Sequence, residues 1–337
     1  MKRQHHLEVQ SQVSTPDGTG LFVRVIQQPS ALGKMPIILN DGLGCNGFIW
    51  KHFIDYFQHQ HPIIHWHYRG HGHSDIPSEL DSINIPQIAS DMTFVLDHLR
   101  IKKALLAGHS MGVQVALEAY HQFPEKFTGL ALLNGSYEYP LKTWQASQKR
   151  NAKPTLLNQL MNTFFEPFYE LGSDYFHHIE PVWSKFLRTD IPYQFATLFE
   201  VNRALINKPD FKPYFDHLAD IKPHVFFKTM KNYSEHSAKA VLSKIQVPTL
   251  IISGGQDTFS PRWVALDMHH AVENSEMLFI PSGTHCTLIE HPELIQLRIE
   301  KFLWSLQIQQ SKNSCRSTTG TSTPKAASKR QRATANS

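Results

Sequence analysis

The chain has 337 residues, 41% of them hydrophobic and 18% charged, with a formal net charge of +4. No apolar run reaches the roughly 20 residues of a bilayer-spanning helix, and the first residues lack the apolar core of a secretion signal, so a cytoplasmic protein is expected. The three cysteines, Cys45, Cys286 and Cys315, are too scattered for a disulfide framework or a CxxC zinc site and read as free thiols.

In chain order, "GTGLFVRVI" from Gly18 to Ile26 alternates like a half-buried strand. "MPIILN" is a short apolar strand bounded by the turn formers "DGLGCNG". "PIIHWHY" is another, ending at "RGHGHSD". After Pro86, residues Ile88, Met92, Val95, Leu96 and Leu99 fall at helical spacing. "KALLAG" is a strand, "MGVQVALEAYHQFP" a helix and "FTGLALLNG" a strand again. Short apolar strands alternating with helices imply a mostly parallel, doubly wound α/β sheet covered on both faces.

The rhythm breaks after Gly135. A long helical stretch follows, crowded with aromatics: Phe164, Phe165, Phe168, Tyr169, Tyr175, Phe176, Trp183, Phe186, Tyr193, Phe195 and Phe199. Most of these rings must pack the helices together, and a minority should face a site. At Val247 the rhythm resumes with "VPTLIISGGQD", "PRWVALDMHHAV", "SEMLFIPSGTH" and the closing helix "PELIQLRIEKFLWSL". The expected division is a core over 1–136 and 246–308, a helical cap over 137–245, and a disordered basic tail over 309–337. The tail holds Lys312, Arg316, Lys325, Lys329, Arg330 and Arg332 without an acid; setting those six aside turns the net +4 into −2 for the rest. A near-neutral body gives no reason to expect a nucleic-acid-binding face.

"LLAGHSMGVQVALEAY" places Ser110 between Gly108 and Gly112, where an apolar strand meets a helix. Gly-x-Ser-x-Gly is weak alone. At a strand-to-helix junction it marks a sharp turn that lifts the serine oxygen above the sheet edge, with small residues letting strand and helix pass closely. The helix N-terminus behind it favours developing negative charge. A serine hydroxyl needs a base, and the base needs an orienting acid. Asp257 stands just after one later strand and His285 just after the next. The other place for the acid, after "FTGLALL", holds Asn134, which cannot carry the charge. Asp267, His269 and His270 fall inside a helix and read as surface residues.

With "NDGLG", "HYRGHGHSD", "GHSMG", "GGQD" and "GTHCTLIEHPE" in this order over roughly 20–308, the chain resembles an α/β-hydrolase of the Ser-His-Asp type with a helical cap, the branch of many esterases and lipases. The resemblance implies an eight-stranded-type sheet and a triad of Ser110, Asp257 and His285. It also implies an oxyanion hole from the backbone N–H groups of Leu43 and Met111. Relatives usually carry His-Gly in the first loop. This chain carries Asp41-Gly42, and a carboxylate beside an oxyanion would oppose its charge. Asp41 is therefore expected to point away and brace the loop. A serine at the elbow separates the chain from the aspartate-using dehalogenases and epoxide hydrolases.

The reading that follows is a serine hydrolase that cleaves an ester of an apolar acyl or aromatic small molecule through an acyl-enzyme, with no cofactor. Carbon–carbon bond hydrolases, lactonases and thioesterases share the triad and stay as alternatives. So does a receptor-like protein that binds a ligand with little turnover. His61, His65, His67, His71 and His73 invite a metal reading. "HYRGHGHSD" matches the family's turn after strand four, however, where no metal is bound, so none is expected. Cys45 and Cys286 neighbour the site residues and read as small buried thiols.

Overall fold

In the computed structural model the described residues are 7–143, 156, 159–160, 163–164, 167, 171–172, 176–199, 201–202, 204–206 and 208–319. Eight strands form one sheet: β1 (Leu7–Ser14), β2 (Gly20–Gln27), β3 (Ile37–Asn40), β4 (Ile63–Trp66), β5 (Ala104–His109), β6 (Phe127–Leu133), β7 (Thr249–Gly254) and β8 (Ser275–Ile280). Their order is β1-β2-β4-β3-β5-β6-β7-β8. β1 pairs antiparallel with β2 and β2 with β4. From β4 to β8 every pairing is parallel. The fold class expected from the sequence is thus found. β1 was not anticipated: it is an edge strand with exposed side chains on both faces, so it carries little apolar alternation.

The helices that cover the sheet are α1 (Lys51–Phe57), α2 (Ile85–His98) and α3 (Met111–Gln122). Between β6 and β7 the chain forms α4 (Pro140–Thr143), α5 (Glu180–Leu187), α6 (Ile191–Phe199), α7 (Lys208–Asp220), α8 (Pro223–Glu235) and α9 (Lys239–Leu242). Returning to the sheet, it forms α10 (Arg262–Ala271), α11 (Thr287–Glu290) and α12 (Pro292–Thr319). No helix among the described residues is long and apolar enough to cross a membrane.

The fully apolar strands are explained by two cores. On β5, Leu106 joins a cluster with Ile88, Met92, Val95 and Ala116 of α2 and α3. Its neighbours Leu105 and Ala107 join the opposite cluster, with Phe53 of α1 and Ile299 and Phe302 of α12. Alternate side chains point to opposite faces, so a strand covered on both must be apolar throughout. α2 starts at Ile85, one residue before Pro86, and is capped by Asn84, whose side chain accepts a hydrogen bond from the Gln87 N–H at 2.9 Å.

The "RGHGHSD" turn is fastened from within. The buried Arg69 guanidinium donates to both oxygens of the buried Asp91, each at 2.7 Å, and to Asp17 at 3.0 Å. Such a two-pronged pair orients as well as binds.

α12 continues to Thr319, so 309–319, expected to be disordered, is helical. No proline or glycine interrupts "QSKNSCRSTT", and extending a packed helix costs less than starting one. Residues 320–337 lie outside the described residues, and with them Lys325, Lys329, Arg330 and Arg332.

Candidate active site

Three parallel strands deliver the three sequence-selected residues to one edge of the sheet. Ser110 follows β5, Asp257 follows β7 and His285 follows β8. Ser110 sits at φ 55°, ψ −119°, a conformation few non-glycine residues adopt. The glycines around it have a steric reason. A Cβ on Gly108 would lie 2.2 Å from the Gly112 carbonyl oxygen, and one on Gly112 would lie 2.2 Å from that of Asn40. Strand, elbow and helix pass too closely for any side chain there.

His285 Nε2 lies 2.9 Å from Ser110 Oγ. Its Nδ1 lies 3.1 and 3.0 Å from the two oxygens of Asp257. A carboxylate only accepts, so Nδ1 carries the proton and Nε2 is left to accept from the serine hydroxyl. Asp257 is fully buried. Its Oδ1 accepts from the N–H groups of Phe259 and Ser260, both at 2.9 Å. Its Oδ2 accepts from the Asn134 amide at 3.1 Å. Burial of a charge is tolerated when its lone pairs are filled in this way.

The loop after β3 runs against the serine: a Cβ on Gly42 would lie 3.0 Å from Ser110 Cβ. Leu43 lines the pocket above Ser110. Met111 opens α3, and the N–H of a first helical residue has no intrahelical acceptor. Asp41 turns its carboxylate into the loop, as the sequence led us to expect. Oδ1 accepts from the Trp50 indole at 2.9 Å and Oδ2 from His65 Nε2 at 2.7 Å. Arg24 donates to His65 Nδ1 at 3.1 Å, which places the ring proton of His65 on Nε2, facing Asp41. The Asp41 carbonyl accepts from the Tyr68 hydroxyl at 2.8 Å.

Three other histidines of this region bond the backbone through their rings. His67 Nδ1 accepts from the His73 N–H at 3.0 Å, His71 Nδ1 pairs with the Arg69 carbonyl at 3.1 Å, and His61 Nδ1 pairs with that of Met35 at 2.8 Å. Burial pushes His67 down to about 2, with nearby His65 adding to the effect. Burial likewise pushes His109 to about 3 and His217 to about 4. Cys45 and Cys286 are both buried and unbridged, and burial raises the Cys45 thiol well above its ordinary value.

Above Ser110 lies a cavity of about 420 Å³. Phe211, Tyr214 and Phe215 face it from α7, Phe226, Met230 and Tyr233 from α8, and Phe186, Ile191 and Phe195 from α5 and α6. Among its described lining residues there is no Lys, Arg, Asp or Glu. Of the aromatics named from the sequence, Phe186 and Phe195 reach the cavity, while Phe165, Phe168, Tyr169 and Tyr175 lie outside the described residues.

Three neighbours of the site were missed in the sequence. Asn134, seen only as an empty acid position, also donates to the Thr284 carbonyl at 3.0 Å and accepts from the Thr287 hydroxyl. Tyr233 hydrogen-bonds the Ser110 side chain, and burial holds its hydroxyl well above the usual phenol range. Glu290 grips Thr284, the residue before His285. Asp267 and His269 are half-buried rather than surface groups: Asp267 accepts from Tyr137 at 3.2 Å and His269 pairs with Ser275 at 2.8 Å.

A family profile described as alpha/beta hydrolase fold matches residues 35–292. The chain is 24% identical to the uncharacterized hydrolase YugF of Bacillus subtilis (strain 168), over 86% of its own length and 96% of the relative's. It is also 24% identical to 3-oxoadipate enol-lactonase 2 of Acinetobacter baylyi, over 78% and 86%. Among solved structures, the enol-lactonase from Burkholderia xenovorans LB400 superposes with a TM-score of 0.68 at 16% identity, covering 87% of this chain and 99% of that one. The esterase EaEST from Exiguobacterium antarcticum superposes with a TM-score of 0.66 at 19% identity, covering 88% and 99%. On its sheet, its elbow and these matches, the chain is a hydrolase of the α/β-hydrolase fold family.

Proposed function

We propose that the protein is a serine hydrolase cleaving an uncharged, apolar ester through an acyl-enzyme on Ser110. The observation that carries this reading is the unbroken chain from Ser110 Oγ to His285 Nε2 and from His285 Nδ1 to Asp257, at the floor of an apolar cavity. In this reading His285 takes the serine proton as Oγ attacks the carbonyl carbon. Asp257 holds the ring and stabilises the imidazolium. The N–H groups of Leu43 and Met111 receive the oxyanion. His285 then returns the proton to the leaving alcohol, and water, activated by the same ring, releases the acid. The helices between β6 and β7 act as a cap that binds the apolar part of the substrate.

A cavity without a described Lys or Arg offers no partner to an acidic substrate group, so neutral acyl or aromatic esters suit it. Lactones are cyclic esters, open to the same attack; the relatives named as enol-lactonases make them the second substrate class to try.

The test is labelling with a fluorophosphonate probe beside a panel of p-nitrophenyl esters of rising chain length. Wild type should label and hydrolyse, and Ser110→Ala should lose labelling and about 10⁴-fold or more of turnover. A folded wild type that neither labels nor hydrolyses would overturn the reading and favour a ligand-binding role.

A further inference from the structure

Glu290 is buried and lies five residues after His285 in "HCTLIEHP". Its carboxylate takes hydrogen bonds from two different parts of the molecule. Oε2 accepts from the Thr284 N–H at 2.7 Å and Oε1 from the Thr284 hydroxyl at 2.6 Å. Oε1 also accepts, at 3.0 Å, from the backbone N–H of Asn202, in the segment that leads into α7. That segment is itself ordered around Asn202, whose carbonyl accepts from the Leu205 and Ile206 N–H groups, both at 3.0 Å. Ile206 is buried in the core, and α7 carries Phe211, Tyr214 and Phe215 into the cavity.

Thr284 is the last residue before His285, and its carbonyl is the one held by Asn134, which in turn holds Asp257. The histidine loop is thus gripped at Thr284 from both sides: by Asn134 at the carbonyl and by Glu290 at the N–H and hydroxyl. Releasing one side leaves Thr284 held from the other alone and loosens the backbone immediately before His285.

We propose that Glu290 is a positioning residue for His285, and that the grip is shared with the substrate-binding helices through Asn202. This rests on the triad reading above. The carboxylate suits the task because it offers acceptors in two directions at once. An amide cannot, since its NH₂ would face either the Thr284 N–H or the Asn202 N–H. Charge-assisted bonds in a buried site are also the stronger kind.

The experiment compares wild type with Glu290→Gln by steady-state kinetics on a p-nitrophenyl ester and by proton NMR of the low-field resonance from the His285–Asp257 hydrogen bond. The expected result is a kcat lowered about tenfold or more with KM within about twofold, since a small misplacement of a catalytic group is costly. The low-field resonance should broaden or vanish while unfolding stays cooperative. A folded Glu290→Gln that keeps both the resonance and the wild-type kcat overturns the proposal. If that variant fails to fold, Thr284→Val removes the hydroxyl that donates to Glu290, together with its longer contact to the Cys286 N–H, and should lower kcat about threefold; an unchanged kcat overturns the proposal equally. A wild type that shows the resonance but hydrolyses no ester defeats the triad reading instead, and the NMR comparison still decides the role of Glu290.

Discussion

The Asn134 amide nitrogen lies 3.1 Å from Asp257 Oδ2 and 3.0 Å from the Thr284 carbonyl, so one side chain fastens the acid and the base loop together. Asn134→Ala removes both of these bonds and the one its amide oxygen takes from the Thr287 hydroxyl, leaving two acceptors and one donor short of a partner inside a buried site. A stability loss of about 1–3 kcal/mol is expected by urea unfolding. The kinetic expectation is a kcat lowered severalfold with KM nearly unchanged. Asn134→Asp should be worse, because it sets a second carboxylate against Asp257.

The elbow permits no Cβ at Gly112. Gly112→Ala would push a methyl to 2.2 Å from the Asn40 carbonyl oxygen and 2.9 Å from that of Asp41, and both of these are backbone atoms. No flexible side chain is there to yield. The variant should lose roughly 3 kcal/mol or more, or fail to accumulate as folded protein. Urea unfolding with wild-type cooperativity and midpoint would refute this close packing.

The buried histidines fix the direction of pH dependence. His67, His109 and His217 are held neutral, at about 2, 3 and 4. In the unfolded chain each takes up its proton near an ordinary histidine pKa of about 6.5. Below that pH the unfolded state binds more protons than the folded one, so stability falls as pH falls; above it these groups contribute no slope. Each can cost up to about 1.4 kcal/mol per pH unit between its unfolded and folded values. Melting temperature should therefore be flat on this account above about pH 7 and should decline from about pH 6.5 toward pH 4. A melting temperature that stays level or rises over that acid range would contradict the buried, neutral assignment.

Tyr233 meets Ser110 from α8, and burial holds its hydroxyl well above the usual phenol range. Tyr233→Phe preserves the ring against the cavity and removes only the hydroxyl. The expected effect is a fewfold change in kcat with labelling at Ser110 retained. Loss of labelling would mean that the hydroxyl is required to hold Ser110 in its reactive orientation.

The chain order of β5, β7 and β8 could be read from apolar runs ending in Ser110, Asp257 and His285, because strands covered on both faces must be apolar and their ends must turn. Asp41 could be placed by an electrostatic argument alone. Asn134, Tyr233 and Glu290 could not. Each acts through a partner far away in sequence, and neither periodicity nor motif spacing records such a contact. A sharper question would have found Asn134: what a polar residue does at a strand end where an acid would fit. The helix over 309–319 is not legible in its polar composition, because the packed turns that precede it carry it on.

The inserted helices leave and rejoin the sheet at one place. Glu138 and Ser237 form an isolated antiparallel bridge there. The Ala238 N–H reaches the Tyr137 carbonyl at 2.8 Å, and Lys239 pairs with Glu138 at 3.1 Å. The chain enters and leaves the inserted segment through that narrow neck, and contacts such as the Asn202–Glu290 hydrogen bond tie the segment back to the sheet side. An exchange of the segment at that neck would also remove the Asn202–Glu290 hydrogen bond, so any graft there must supply a new donor to the glutamate beside the base loop.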